Sequence, residues 1–214
     1  MEKYLGKLNE IVEDTKKEFG YEFANFKGFE FSDKIGEVSD GRYSQGVIII
    51  PIEKIDSQIK DGTIVKNLQH ELMHAEFERL FPQIHEAAYD AIENEQYEDF
   101  FVINVFVEYY VHKMGRDEDE EIVKGFLKSF ENYNFNFRDE LDQIKFKKYL
   151  PYLLYRVELM ETEDLKKYIS NNYVLQKCIE LHQFLRNKNI SDYRDDLTEI
   201  NSIKRSFSNL YTDI

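Results

Sequence analysis

The stretch Asn67-Leu68-Gln69-His70-Glu71-Leu72-Met73-His74-Ala75-Glu76-Phe77 constrains this chain more than any other, because it contains the pattern HExxH. On a helix, residues four apart stand one above the other on one face, so His70 and His74 can turn their imidazoles toward a single metal ion. Glu71 falls about 100° round the helix from His70. From there its carboxylate reaches a water held by the metal without crowding the two rings. Two neutral nitrogen ligands, an open coordination position and an adjacent carboxylate are what a hydrolytic Zn2+ centre requires.

The flanking residues support a helix. Between Thr63 and Phe81 there is no Pro or Gly, and Asp61-Gly62-Thr63 offers a turn with an N-cap. At about 100° per residue, Ile64, Leu68, Leu72 and Ala75 gather opposite the His pair. Met73, Phe77 and Leu80 flank the His face on one side, and Asn67, Glu71 and Glu78 flank it on the other. A helix patterned this way is buried on its back and lines a polar cleft with its front.

Composition bounds what the helix can belong to. A chain of 214 residues can bury one substantial core, or a core and a smaller module. With 42 % hydrophobic and 15 % aromatic residues it is not a disordered polymer. A net charge of −14 repels phosphate, which argues against nucleic acid and anionic membranes as partners. The N-terminal Met1-Glu2-Lys3-Tyr4-Leu5-Gly6-Lys7 has no apolar core for a signal peptide, and the longest apolar run, Val47-Ile48-Ile49-Ile50, is too short to span a bilayer. The single Cys178 cannot form an internal disulfide and sits in an apolar helical pattern. These features lead us to expect a soluble protein of a reducing compartment, the cytoplasm.

In chain order, residues 2–19 carry one helical stripe, Tyr4, Leu5, Leu8, Ile11 and Val12, and Gly20 is a natural stop. Tyr21 to Phe31 alternates aromatics as one or two strands would, with a turn at Lys27-Gly28. Ser39-Asp40-Gly41 marks another turn. The most strand-like run follows, Gly46-Val47-Ile48-Ile49-Ile50, ended by Pro51. A strand, a connection and then the His-bearing helix would set a sheet edge beside the metal, and residues 43–50 are the candidate edge for an added peptide strand. A central strand that merely packs is the alternative.

Beyond Phe81-Pro82 the pattern is helical. Glu86 to Met114 is a long segment without Gly or Pro, closed by Gly115 and the acidic run Asp117-Glu118-Asp119-Glu120-Glu121, which reads as a solvated helix start. Helical stripes recur at Val123–Phe130, Leu150–Met160, Tyr173–Leu185 and Leu197–Leu210. The expected fold is α+β, mostly α: a small N-terminal sheet on the HExxH helix and a Glu-bearing helix within residues 1–115, then a helical module over 116–214.

A tight zinc site needs a third protein ligand. Position 80 is Leu80, which excludes a third His six residues after His74. His85, eleven residues after His74, reads better as a capping or surface residue beyond the turn at Pro82. Glu108 is the stronger candidate, set among Val105, Phe106, Val107, Tyr109, Tyr110 and Val111, where a carboxylate is costly unless paired or bound to a cation. On a helix Asn104, Glu108 and His112 form one polar stripe that could supply the ligand and its supporting partners. The abundance of β-branched and aromatic residues leaves a buried strand open, and Glu95 and Glu98 are alternative ligands.

HELMH together with Glu108-Tyr109-Tyr110-Val111-His112-Lys113 resembles the zincin metallopeptidases whose third ligand is a glutamate. In those the later helix often reads E-x-x-x-D; here the last position is His112. The order of a small sheet with a strand such as GVIII before HExxH is also similar to the compact ImmA/IrrE-like peptidases, in which the glutamate tends to lie nearer the HExxH helix, as Glu98 does. The resemblance covers roughly residues 43–113.

It implies a zinc metallopeptidase acting on a peptide or protein. His70, His74 and Glu108 would hold the metal, Glu71 would act as general base, and Tyr109, Tyr110 or His112 could donate to the oxyanion. A non-catalytic zincin-like module for sensing or protein interaction is the alternative, and Glu71, the residue such a module loses first, is present. A third reading is a helical protein whose motif is fortuitous.

Overall fold

A computed structural model of the chain describes residues 2–33, 40–115, 179 and 190–211, without the side chains of 98, 101 and 206–211. The described residues are mostly helical, with a small three-stranded sheet near the N-terminus. The chain divides into two compact units, Met1–Pro82 and Gln83–Ile214. Cys178, the acidic run 117–121 and the helical stripes expected between 123 and 185 lie outside the described residues.

In the first unit, helix α1 (Glu2–Phe19) buries Leu8, Ile11, Val12 and Thr15, continuing the apolar stripe by one turn. Thr15 Oγ1 donates to the Ile11 carbonyl at 2.7 Å, so the polar atom is satisfied inside the helix. The next segment is half as regular as its aromatic alternation suggests. Only β1 (Gly28–Ser32) is a strand, and residues 21–27 form an irregular connection with Phe23 buried in it.

Two further strands, β2 (Arg42–Ser44) and β3 (Val47–Pro51), form a hairpin. Its two linking residues, Gln45 and Gly46, have φ of 49° and 93°. Positive φ at both positions is the turn whose twist matches an antiparallel pair. Gly46 is required twice over, since a Cβ there would lie 2.7 Å from the Asn25 carbonyl oxygen. Its own carbonyl accepts the Lys27 amide at 2.7 Å, which delivers the chain into β1. β1 pairs parallel to β3 and β2 pairs antiparallel to it, giving the order β1-β3-β2.

This order corrects the expectation for residues 43–50. Val47–Pro51 is the central strand, with Ile48 and Ile50 buried. The two-residue turn folds β2 onto one side of β3, and β1 takes the other. The edge strand β2 packs against the HExxH helix, beside the central β3.

The connection expected between GVIII and the motif is itself a helix, α2 (Ile52–Asp61). It buries Ile55 and Gln58, and Gln58 Nε2 donates to the Asp40 carbonyl at 2.9 Å, fixing the approach to β2. Gly62, with φ 81°, ends α2 and begins α3 (Thr63–Leu80) in a left-handed conformation that costs a side-chain-bearing residue energy. Asp61 Oδ1 accepts both the Thr63 amide at 3.0 Å and the Thr63 hydroxyl at 2.7 Å. These bonds hold the Asp61 carboxyl below its ordinary value.

The segment from Glu86 to Met114 falls in two helices, α4 (Pro82–Glu93), which Pro82 opens, and α5 (Tyr97–Met114). They are separated by Asn94-Glu95-Gln96, with Glu95 at φ 58°. The Asn94, Glu95 and Gln96 amides all bond back to carbonyls of the last turn of α4, which closes it without a glycine. After a short turn at Ile190–Asp192 comes α6 (Leu197–Tyr211), which packs on α5. Asp195 accepts the Gln83 and Ile84 amides, both at 3.0 Å, and so caps the start of α4 from more than a hundred residues away. Phe106, Tyr110 and Tyr193 pack as a cluster with ring centroids 4.8–5.4 Å apart. Burial raises the Tyr193 phenol above its ordinary value. No described helix is long and apolar enough to cross a membrane.

Candidate metal centre

The motif helix α3 takes the form its spacing predicts. Ile64, Leu68, Leu72 and Ala75 are buried on its back, together with Met73, Glu76 and Phe77. Asn67, His70, Glu71, His74 and Glu78 are half-buried along the front. His70 Nε2 and His74 Nε2 face each other at 3.2 Å, with their rings nearly perpendicular at 84°. Two imidazole nitrogens bound to one tetrahedral ion at about 2.0–2.1 Å would stand about 3.3 Å apart. One turn of helix has thus set the pair at the separation a shared cation demands.

Among the described residues, one group of ligand-type side chains converges. His70, His74 and Glu108 each offer a donor atom, and these atoms all lie within 4.8 Å of one another. Two nitrogens and one carboxylate oxygen are a donor set suited to a divalent cation that keeps a position open for water. The residues therefore fit a metal ion, and the group can hold one.

Glu108 comes from α5, a helix and not the buried strand the sequence left open. Its polar stripe is present: Asn104 and Glu108 are half-buried and His112 is 6 % exposed, while Val105, Phe106, Val107, Tyr109, Tyr110 and Val111 are buried around it. Of the other acids weighed, Glu95 is exposed in the turn before α5 and does not join the group. The side chain of Glu98 lies outside the described residues. His85, expected to cap a helix or lie on the surface, is buried on α4 against the Tyr89 ring, at 5.0 Å between centroids. Tyr110 belongs to the aromatic cluster, and Tyr109 packs edge-on against it at 5.0 Å.

A second buried acid sits on α3 itself, and it is engaged elsewhere. Glu76, 2 % exposed, accepts from Arg79 Nε at 3.0 Å and Nη2 at 2.6 Å. Those bonds push the Arg79 guanidinium above its ordinary value.

Glu71 is held by a contact that HExxH spacing does not reveal. The backbone amide of Tyr43, in the edge strand β2, donates to Glu71 Oε2 at 2.5 Å. The Tyr43 hydroxyl donates to Glu78 Oε2, two turns further along the same helix. Gly41 passes close by, where a Cβ would lie 3.9 Å from Glu71 Cγ. Sequence reasoning missed Tyr43 because its role depends on which strand forms the edge. The one signal was its position two residues after the Asp40-Gly41 turn.

No family model matches the chain, and comparison with curated proteins and with solved structures finds no match.

Proposed function

We propose that the chain is a zinc-dependent metallopeptidase of the HExxH type. The observation that carries this reading is the convergence of His70, His74 and Glu108 donor atoms within 4.8 Å, with Glu71 next to His70 on the same helix. His70 and His74 would hold the ion through neutral nitrogens, and Glu108 would complete three protein ligands. When bound, zinc supplies a water acidified toward neutrality and a Lewis acid for the carbonyl oxygen.

The chain's own contribution is the handling of the proton. The Glu71 carboxylate takes a proton from the water as its oxygen bonds to the peptide carbonyl carbon. It then returns that proton to the amide nitrogen, the carbon–nitrogen bond breaks, and an acid and an amine leave. A carboxylate suits both transfers because it accepts a proton as a base and, once protonated, donates it as an acid. The net charge of −14 fits a peptide or protein substrate better than nucleic acid.

Replacing Glu71 tests the reading. Glu71→Gln keeps the shape and the two imidazoles but cannot carry a proton. It is expected to retain bound zinc and to lose hydrolysis of a mixed peptide substrate by about 10²–10⁴-fold. A Glu71→Gln protein as active as the parent refutes the assignment.

A further inference from the structure

We infer that Tyr43 is a positioning residue that clamps the carboxylate of Glu71, and that it does so by gripping α3 at two points. The inference rests on the metallopeptidase reading for what Glu71 does, but the clamp itself is a matter of backbone geometry. β2 has three residues, and Tyr43 is the middle one, opposite Ile48 of β3. In an antiparallel ladder, alternate residues turn their peptide groups toward the partner strand and away from it. The Tyr43 amide donates to Glu71, so it points away from β3, out of the sheet and toward α3. Tyr43 is 5 % exposed, and a buried amide left without an acceptor costs about 1–3 kcal/mol. Glu71 supplies that acceptor.

The exchange constrains both groups. A glutamate has three rotatable side-chain bonds and wanders unless something fixes its end. A donated amide proton is a charge-assisted bond, stronger and more directional than one between neutral groups. The other end of Tyr43 is fixed as well, because its hydroxyl donates to Glu78. Glu71 and Glu78 are seven residues apart on α3, close to two full turns, and so share a face about 10.5 Å long. One residue of the sheet edge thus spans two carboxylates of the motif helix. The strand itself is braced from behind, where Gln58 of α2 holds the Asp40 carbonyl and Lys54 pairs with the Asp40 carboxylate at 3.2 Å. Tyr43 links Glu78 to Glu71, and a change at Glu78 felt at the Tyr43 amide separates positioning from simple packing.

The test is a nuclear magnetic resonance spectrum of the full chain, metal-free, with its fifteen tyrosines labelled with 15N. The Tyr43 amide is the resonance lost in Tyr43→Phe. It is expected far downfield, as a short bond to a carboxylate requires, and to move upfield by more than its linewidth in Glu71→Gln. Glu78→Ala, which touches neither the amide nor Glu71, is expected to move it in the same direction, and Glu78→Gln to restore it, since a carboxamide oxygen still accepts the phenol proton. An amide unmoved by Glu71→Gln, or moved by it but indifferent to Glu78→Ala, overturns the clamp. Zinc content of the same variants keeps the two claims apart. Zinc bound normally beside an unclamped amide sinks this inference alone, whereas a clamped amide in a chain that takes up no zinc sinks the metallopeptidase reading.

Discussion

Helices α3 and α5 are each eighteen residues long, yet they carry their ligand-type side chains in opposite settings. α3 has a buried back and a half-open front, and the front holds His70, Glu71 and His74. α5 is buried round nearly its whole circumference, with Asn104 and Glu108 as the polar breaks in an apolar wall. On α3 the candidate ligands are declared by spacing, since two imidazoles four residues apart are a local fact of helix geometry. On α5 the candidate ligand is declared by cost, since a carboxylate among buried valines and tyrosines needs a partner that the local sequence does not name.

The contrast can be broken at the packing level first. Truncating a core side chain of either helix should be severe: about 3–5 kcal/mol for Phe106→Ala in α5 and about 2–5 kcal/mol for Leu72→Ala on the back of α3. Both residues are fully buried, so denaturant titration of the two variants tests whether the backs of the helices are equivalent. A Leu72→Ala loss below about 1 kcal/mol would mean that α3 is not anchored from behind.

The junction comes next. Gly62→Ala forces a side chain into a left-handed conformation and should cost about 1–2 kcal/mol, read as a lowered midpoint in the same titration. An unchanged midpoint would show that α2 and α3 meet in some other way.

The smallest effect is the most telling for α5. If Glu108 is retained for a cation and not for the fold, metal-free Glu108→Leu should be within about 1 kcal/mol of the parent, or more stable. Its thermal midpoint should also no longer respond to chelator, whereas the parent's falls when zinc is removed. A metal-free loss of several kcal/mol would assign Glu108 a structural role that this account lacks.

What could be read from the sequence follows the same division. α1, the motif helix and α6 each announce themselves by a 3.6-residue period, and their bounds were close to those expected. α2 was passed over because Pro51 precedes it and its apolar positions are few, though Ile55 with Ile59 and the Gly62 stop were there to be used. Whether residues 43–50 held the edge or the centre of the sheet could not be decided, since the central place of Val47–Pro51 depends on β1 pairing across a gap in sequence. For the same reason Tyr43 could not be named: its amide matters only once the edge strand and register are known. Glu108 was inferable as an anomaly and was expected to join His70 and His74, but only by its cost among apolar neighbours, because no local rule relates positions 74 and 108.

The central claim is that His70, His74 and Glu108 together hold one zinc ion, and elemental mass spectrometry of protein purified without a His tag tests it most directly. The account predicts about one zinc per chain in the parent, and its loss in both His74→Ala and Glu108→Ala. A parent that takes up no zinc on reconstitution, or a Glu108→Ala variant that keeps a full complement, would contradict it.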